Sequence, residues 1–140
     1  MYDLLRKLSQ NPEKLEVLGT GREKRDFNYV SDCVNGILLA ATCPAAIGKT
    51  MNIGTGNAIT VKQLVDLILD SLGLAGKTTV FYRGESWKGD VSVLEADISL
   101  SKNILDYSLT VSLERGLSIL IDWFHHGEYK HDNDRYDFRK

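Results

Sequence analysis

The run from Thr60 to Gly73 constrains this chain more than any other stretch, because it writes a complete amphipathic helix with both ends marked. Thr60 and Gln63, three residues apart, form a capping box, in which each side chain satisfies a backbone N–H that the first turn leaves unpaired. Val61, Leu64, Val65, Ile68 and Leu72 fall on one face at helical spacing, and Gly73 takes the position just past the end. Such a face has to be covered. Thr78–Tyr82 follows, β-branched and aromatic, and reads as a strand. A helix next to a strand of this kind predicts a mixed α/β core.

The remaining segments repeat the alternation. Leu4, Leu5 and Leu8 line a first helix over residues 2–10, stopped by Asn11-Pro12. Leu15 and Val17, then Phe27 and Tyr29, alternate with polar neighbours on either side of Gly19-Thr20-Gly21, so residues 14–30 read as two extended arms around a glycine turn. Ser31 or Asp32 is expected to cap the next helix, with Val34, Ile37, Leu38 and Ala41 as its buried stripe and Pro44 as its stop. Met51–Ile53 reads as a short strand closed by Gly54-Thr55-Gly56. Val91 and Val93 suggest another extended piece. A short helix is expected over residues 99–105, with Asp97 near its cap. Ser112 caps a last helix whose Leu113, Leu117, Leu120, Ile121 and Phe124 face inward, with Gly127 as its end. Residues 127–140 form a polar, charge-balanced tail, expected to be loosely held.

The totals exclude several classes. With 140 residues, 43% of them apolar and 26% charged, the chain suits one soluble domain. A net charge of −2 argues against nucleic acid as the partner. Cys33 and Cys43, without a CxxC pair, point to neither a disulfide framework nor zinc, and fit a reducing compartment. No apolar run reaches the ~18 residues of a membrane span, and the charged N-terminus resembles no signal peptide, so a cytoplasmic protein without membrane contact is expected.

Chemistry-bearing motifs are few. Gly19-Thr20-Gly21 and Gly54-Thr55-Gly56 are both GxG, but neither has the third glycine of a dinucleotide-binding turn. The first continues as an extended segment, and in the second a threonine cap stands where the last glycine belongs, so both read as tight turns. There is no Walker loop, GxSxG or HExxH. Tyr136 and Lys140 have Tyr-x-x-x-Lys spacing but lie in the tail, away from the buried setting a catalytic tyrosine needs. His125, His126 and His131 with Asp132 and Asp134 lack regular metal-ligand spacing and read as a solvated tail.

Several segments in order resemble the extended short-chain dehydrogenase/reductases, the NAD-dependent nucleotide-sugar epimerases and dehydratases. Residues 19–32, GTGREKRDFNYVSD, are similar to that family's GxGxQxRDFxYVxD stretch; Met51–Gly56 to its NIGTG strand; the Thr60 helix to its (S/T)VxEL helix. Lys88-Gly89-Asp90 and Ala96-Asp97-Ile98-Ser99 resemble its GDxxxxxADxSK run. Ser112–Phe124 resembles its closing SLEEGLxxTIxWF helix. The likeness covers residues 14–126. It implies a C-terminal substrate-binding lobe over residues 1–126, built of short strands and packed helices, without the Rossmann half that carries NAD(P) and the catalytic tyrosine in the family. No cofactor is then expected on this chain alone.

The resemblance also assigns residues. Arg25 matches the arginine on the substrate diphosphate; a guanidinium is planar, always charged and binds two oxygens at once. The bland alternative is a surface arginine paired with Asp26 or Glu23. Asp90 matches the aspartate of RxGD, which accepts the ribose hydroxyls. The arginine of that motif is replaced by Trp87; either Lys88 or Arg83 supplies the charge from a different place, or Trp87 instead stacks on a base or sugar face. Glu23 replaces the usual glutamine and brings negative charge toward the phosphate region. The backbone of Val17 to Gly19 matches the approach to the nucleobase. Asp32 is read as a helix cap. The expected ligand is a UDP- or dTDP-linked sugar. The expected protein partner is a Rossmann half or a second copy, and the rival reading is a stand-alone nucleotide-sugar-binding module without turnover.

Overall fold

The structure, a computed structural model, describes residues 1–84 and 89–126. The elements run α1 (Tyr2–Gln10), β1 (Lys14–Val17), β2 (Lys24–Arg25), α2 (Val30–Thr42), a 3-10 turn (Pro44–Ala46), β3 (Ile59–Thr60), α3 (Val61–Ser71), β4 (Thr79–Tyr82), β5 (Val93–Leu94), α4 (Ser99–Leu105) and α5 (Leu113–His126). β1 and β4 pair in parallel, Leu15 opposite Val80 and Val17 opposite Tyr82. A second sheet has the order β3-β2-β5, with β2 antiparallel to β3 and parallel to β5.

The main core lies where α1, β1, α3 and α5 meet. It holds Leu5, Leu8, Leu15, Val17, Leu64, Val65, Ile68, Leu69, Leu117 and Ile121. The capping box of α3 is complete: the Gln63 amide donates to the Thr60 hydroxyl, and the Thr60 amide donates to the Gln63 side chain. Gly73 follows at φ +66°, the left-handed geometry that ends a helix without a Cβ clash. Ser112 caps α5 through its hydroxyl, which accepts from the Arg115 amide.

α2 departs from expectation in two ways. It begins at Val30 with Tyr29 at the cap, so neither Ser31 nor Asp32 caps it. Its expected inner stripe is also turned outward: Val34, Ile37 and Leu38 are 48%, 58% and 59% exposed. The inner side instead combines Leu39 with small groups. Gly36 lies against Ile53, whose atoms stand 2.8 Å from where a Cβ would be, and Leu39, Ala40 and Cys43 pack on a second cluster of Ala46, Leu105 and Tyr107. Periodicity finds an apolar face; it does not say what lies across from it. Small residues let this helix sit close on its other side. Met51–Ile53 is likewise not a strand, because no strand among the described residues pairs with it.

Among the described residues no helix is long and apolar enough to cross a membrane, and no cluster of His, Cys, Asp and Glu is arranged to hold a metal. The tail with Tyr136, Lys140, His131, Asp132 and Asp134, and Gly127, lies outside the described residues.

Candidate nucleotide-sugar site

The glycine turn at residues 19–21 joins the two sheets. Gly19 and Gly21 take φ +82° and +79°, where L side chains are strained. The space a Cβ would need is filled at both: by the Glu23 carboxylate 2.8 Å away at Gly19, and by the Tyr82 ring 2.5 Å away at Gly21. The carbonyl of Val17 accepts from the Arg83 amide and that of Gly19 from the Gly84 amide, each at 3.0 Å, which carries the β1–β4 ladder into the turn. The carbonyl of Gly21 accepts from Lys62 and that of Glu23 from Val61, tying the turn to the start of α3.

Glu23 turns one carboxylate oxygen back onto its own loop, while its Oε2 is buried without a hydrogen-bond partner among the described residues. Its carboxylate accepts from the Thr20 amide at 2.8 Å and the Thr20 hydroxyl at 2.9 Å. The Thr20 amide leads the interactions that hold its carboxyl below the usual range. The expected neighbours of Arg25 are therefore engaged elsewhere, because Asp26 also turns away. Its carboxylate accepts from the amides of Thr55, Gly56 and Ala96 and from the Thr55 hydroxyl. Burial pulls the Asp26 carboxyl upward; the Thr55 hydroxyl and these amides outweigh it and leave it below the ordinary aspartate range.

Arg25, on the central strand β2, reaches Asp90. The ion pair is 2.6 Å long, with side chains 22% and 24% exposed. The same guanidinium donates to the Val91 carbonyl at 2.9 Å and to the Lys24 carbonyl at 2.7 Å. Parallel pairing of β2 with β5, Arg25 opposite Leu94, is what delivers the 90–91 segment to this arginine. The two residues assigned to the diphosphate and the ribose, 65 apart in sequence, thus share one corner of the fold. Arg83 is committed differently: it pairs with Glu16 at 2.6 Å and is 61% exposed. Trp87 and Lys88 lie outside the described residues.

Asp32, expected to be a cap, has another task. It is 1% exposed, and its carboxylate accepts from the amides of Thr110 and Val111 and from the Thr110 hydroxyl, fastening the first turn of α2 to the segment that leads into α5. Burial raises its carboxyl and the Thr110 hydroxyl and two amides lower it further, for a net depression. The two aspartates of the RDFxYVxD stretch are thus both structural ties. Their shared signal in the sequence is a threonine partner, Thr55 and Thr110, which spacing alone does not connect to them.

Neither glycine turn suits a dinucleotide. A pyrophosphate cradle needs open space over the glycines and a helix starting behind them. Here Gly19-Thr20-Gly21 leads to a strand, and the space a Cβ would take at Gly54 and Gly56 is filled by Ala96 at 2.6 Å and Ile98 at 3.1 Å.

The family model for the NAD dependent epimerase/dehydratase family matches residues 1–54. The chain is 38% identical over 111 residues to an uncharacterized UDP-glucose epimerase, YtcB, of Bacillus subtilis, covering 79% of this chain and 34% of that one. It is 30% identical over 110 residues to the UDP-glucuronate 4-epimerase of Thermodesulfobacterium geofontis, covering 78% of this chain and 32% of that one. Among solved structures, it resembles the UDP-glucuronic acid 4-epimerase of Bacillus cereus in complex with UDP-glucuronic acid and NAD, with a TM-score of 0.76 and 29% identity over 89% of this chain and 39% of that one. With short strands and five helices among its described residues, the chain belongs to the NAD dependent epimerase/dehydratase family of the extended short-chain dehydrogenase/reductases. It spans about a third of the length of the curated relatives it matches.

Proposed function

We propose that this chain is the nucleotide-sugar-holding lobe of an NAD-dependent nucleotide-sugar epimerase or dehydratase, with the hydride carrier and the catalytic base supplied by a part not included in these residues. The observation that carries this reading is the Arg25–Asp90 corner: a guanidinium suited to phosphate oxygens beside a carboxylate suited to a ribose diol, 2.6 Å apart. Arg25 takes the diphosphate, Asp90 the ribose hydroxyls, and the Val17–Gly19 backbone flanks the base. Binding energy collected on this nucleotide handle fixes the sugar carbon for chemistry that other residues perform.

The uncovered stripe of α2 supports the same reading. Val30, Val34, Ile37 and Leu38 form an apolar face between 48% and 66% exposed, the kind of patch that another chain segment or subunit covers. The extended piece Met51–Ile53, packed beside α2 through Ile53, has no ladder partner among the described residues and fits the same neighbour.

Titration calorimetry with UDP tests the site. Arg25→Ala is expected to weaken UDP binding by about 1.5–3 kcal/mol, the scale of charged hydrogen bonds, which is roughly 10- to 150-fold in dissociation constant. An unchanged constant removes Arg25 from the site. Binding of UDP with no turnover in the presence of NAD and of the longer relative's remaining two thirds would favour the stand-alone module.

A further inference from the structure

The two-stranded sheet ends in an open edge at β4. Thr79 and Arg83 donate to the carbonyls of Glu13 and Val17, at 2.8 and 3.0 Å, so the odd-numbered residues of this strand face β1. The N–H and C=O groups of Val80 and Tyr82 point the other way, where no hydrogen-bond partner meets them among the described residues. Such an edge is a template for another strand, and proteins commonly blunt it with a lysine, a proline or a bulge. On the far side of this sheet the guard is present: Lys7 Nζ donates to the Glu16 carbonyl of β1 at 3.2 Å. At β4 it is missing. Residues 78–82 carry no charge and no proline, and the pairing with β1 runs without a bulge. Phe81 stands 48% exposed on the outer face, while Val80 and Tyr82 pack on the main core.

We propose that this edge pairs with its own copy: β4 lies antiparallel to β4 of a second chain across a two-fold axis, with Phe81 opposite the partner's Phe81. The free backbone groups select the register. Facing residues of a hydrogen-bonded antiparallel pair exchange two bonds, so Val80 opposite the partner's Tyr82 satisfies every free N–H and C=O of both strands. Val80 opposite the partner's Val80 would set Tyr82 against Thr78, whose amide is already given to the Leu74 carbonyl, and Lys77 against Arg83. Tyr82 opposite the partner's Tyr82 would set Val80 against Gly84, whose amide is given to Gly19. In the favoured register the two Phe81 rings cover one another, an aromatic cross-strand pair, and Thr79 faces the partner's Arg83, so no like charges oppose. A two-fold pairing closes on itself and gives a dimer, not a fibre. The edge is separate from the uncovered stripe of α2, a helix that packs on the Ala46, Leu105 and Tyr107 cluster and not on the core beneath β4. The proposal does not depend on the nucleotide assignment.

Sedimentation velocity of the full chain over a range of concentrations tests this, with Phe81→Lys and Ile37→Lys as variants. The wild type is expected to show a reversible monomer–dimer equilibrium. Phe81→Lys should weaken it roughly tenfold or more, because it removes the aromatic pair and sets two charges face to face. Since Phe81 is half exposed, the variant should keep its fold, which circular dichroism checks. A second variant reads the register directly. In a Cys33→Ser, Cys43→Ser background, Phe81→Cys should form a disulfide-linked dimer under mild oxidation, because a non-hydrogen-bonded antiparallel pair brings Cα atoms to about 4.5 Å. Thr79→Cys, which faces Arg83, should crosslink far more slowly. A chain that stays monomeric at millimolar concentration overturns the proposal. So does a dimer that Ile37→Lys breaks and Phe81→Lys leaves intact, or a Phe81→Cys that crosslinks no faster than Thr79→Cys.

Discussion

Asp32→Ala is expected to destabilise the chain by about 2–3 kcal/mol, measured by urea unfolding near pH 7, because it removes a buried charged acceptor from two part-buried amides and a hydroxyl at once. The carboxylate lies outside both apolar clusters yet is 1% exposed, sealed by the groups that bond to it. Alanine leaves those amides without a partner and opens a gap between α2 and the entry to α5. Asparagine keeps one acceptor oxygen and should cost less. The pH dependence follows from the depressed carboxyl. A group held below its unfolded value stabilises the fold above that value, about 3.9 for aspartate, and loses the contribution as pH falls through the lower folded value. The difference between wild type and Asp32→Ala should therefore be flat from pH 5 to 8 and shrink in acid below about pH 4. A difference that grows in acid would contradict the ionised tie, and a cost under about 0.5 kcal/mol would return Asp32 to an exposed helix position.

Ile68→Ala and Ile37→Ala should behave as opposites, although both isoleucines sit on apolar helical faces. Ile68 is 0% exposed at the centre of the main core. Its truncation removes buried methylenes and leaves a cavity that α1, β1 and α5 cannot all close around, a loss of about 3–4 kcal/mol. Ile37 is 58% exposed, so its truncation should change stability by less than about 0.5 kcal/mol, with the better helix propensity of alanine offsetting what little contact is lost. Chemical denaturation of the pair decides this. Equal and large losses would mean that α2 buries the stripe its periodicity suggests. If the stripe is the seat of a missing neighbour, Ile37→Ala should weaken association with that neighbour while leaving this chain's own unfolding unchanged.

These contrasts show which parts of the molecule the sequence makes legible. The α3 capping box, the Gly73 stop and the Ser112 cap are local: every partner lies within a few residues, so spacing alone reports them. The inner face of α5 is legible for the same reason, since Leu117 and Ile121 meet a core on their side. α2 is misleading because Val34, Ile37 and Leu38 face out, while Gly36 and Ala40 face in beside Leu39. Met51–Ile53 has the composition of a strand, but a ladder needs a neighbour. Asp32 and Asp26 find partners 78 and 29 residues away, beyond any window that reads caps. At the site, the types of Arg25 and Asp90 announce phosphate and diol chemistry through the family likeness. Their pairing with each other becomes visible only once β2 and β5 lie side by side.

The most direct test of the nucleotide-sugar lobe is an amide NMR titration of the full chain with UDP-glucuronic acid. The account predicts saturable shifts concentrated at Val17–Arg25 and Asp90–Leu94, lost in Arg25→Ala. No shifts at millimolar ligand, or shifts that centre on α2 and persist without Arg25, would contradict it.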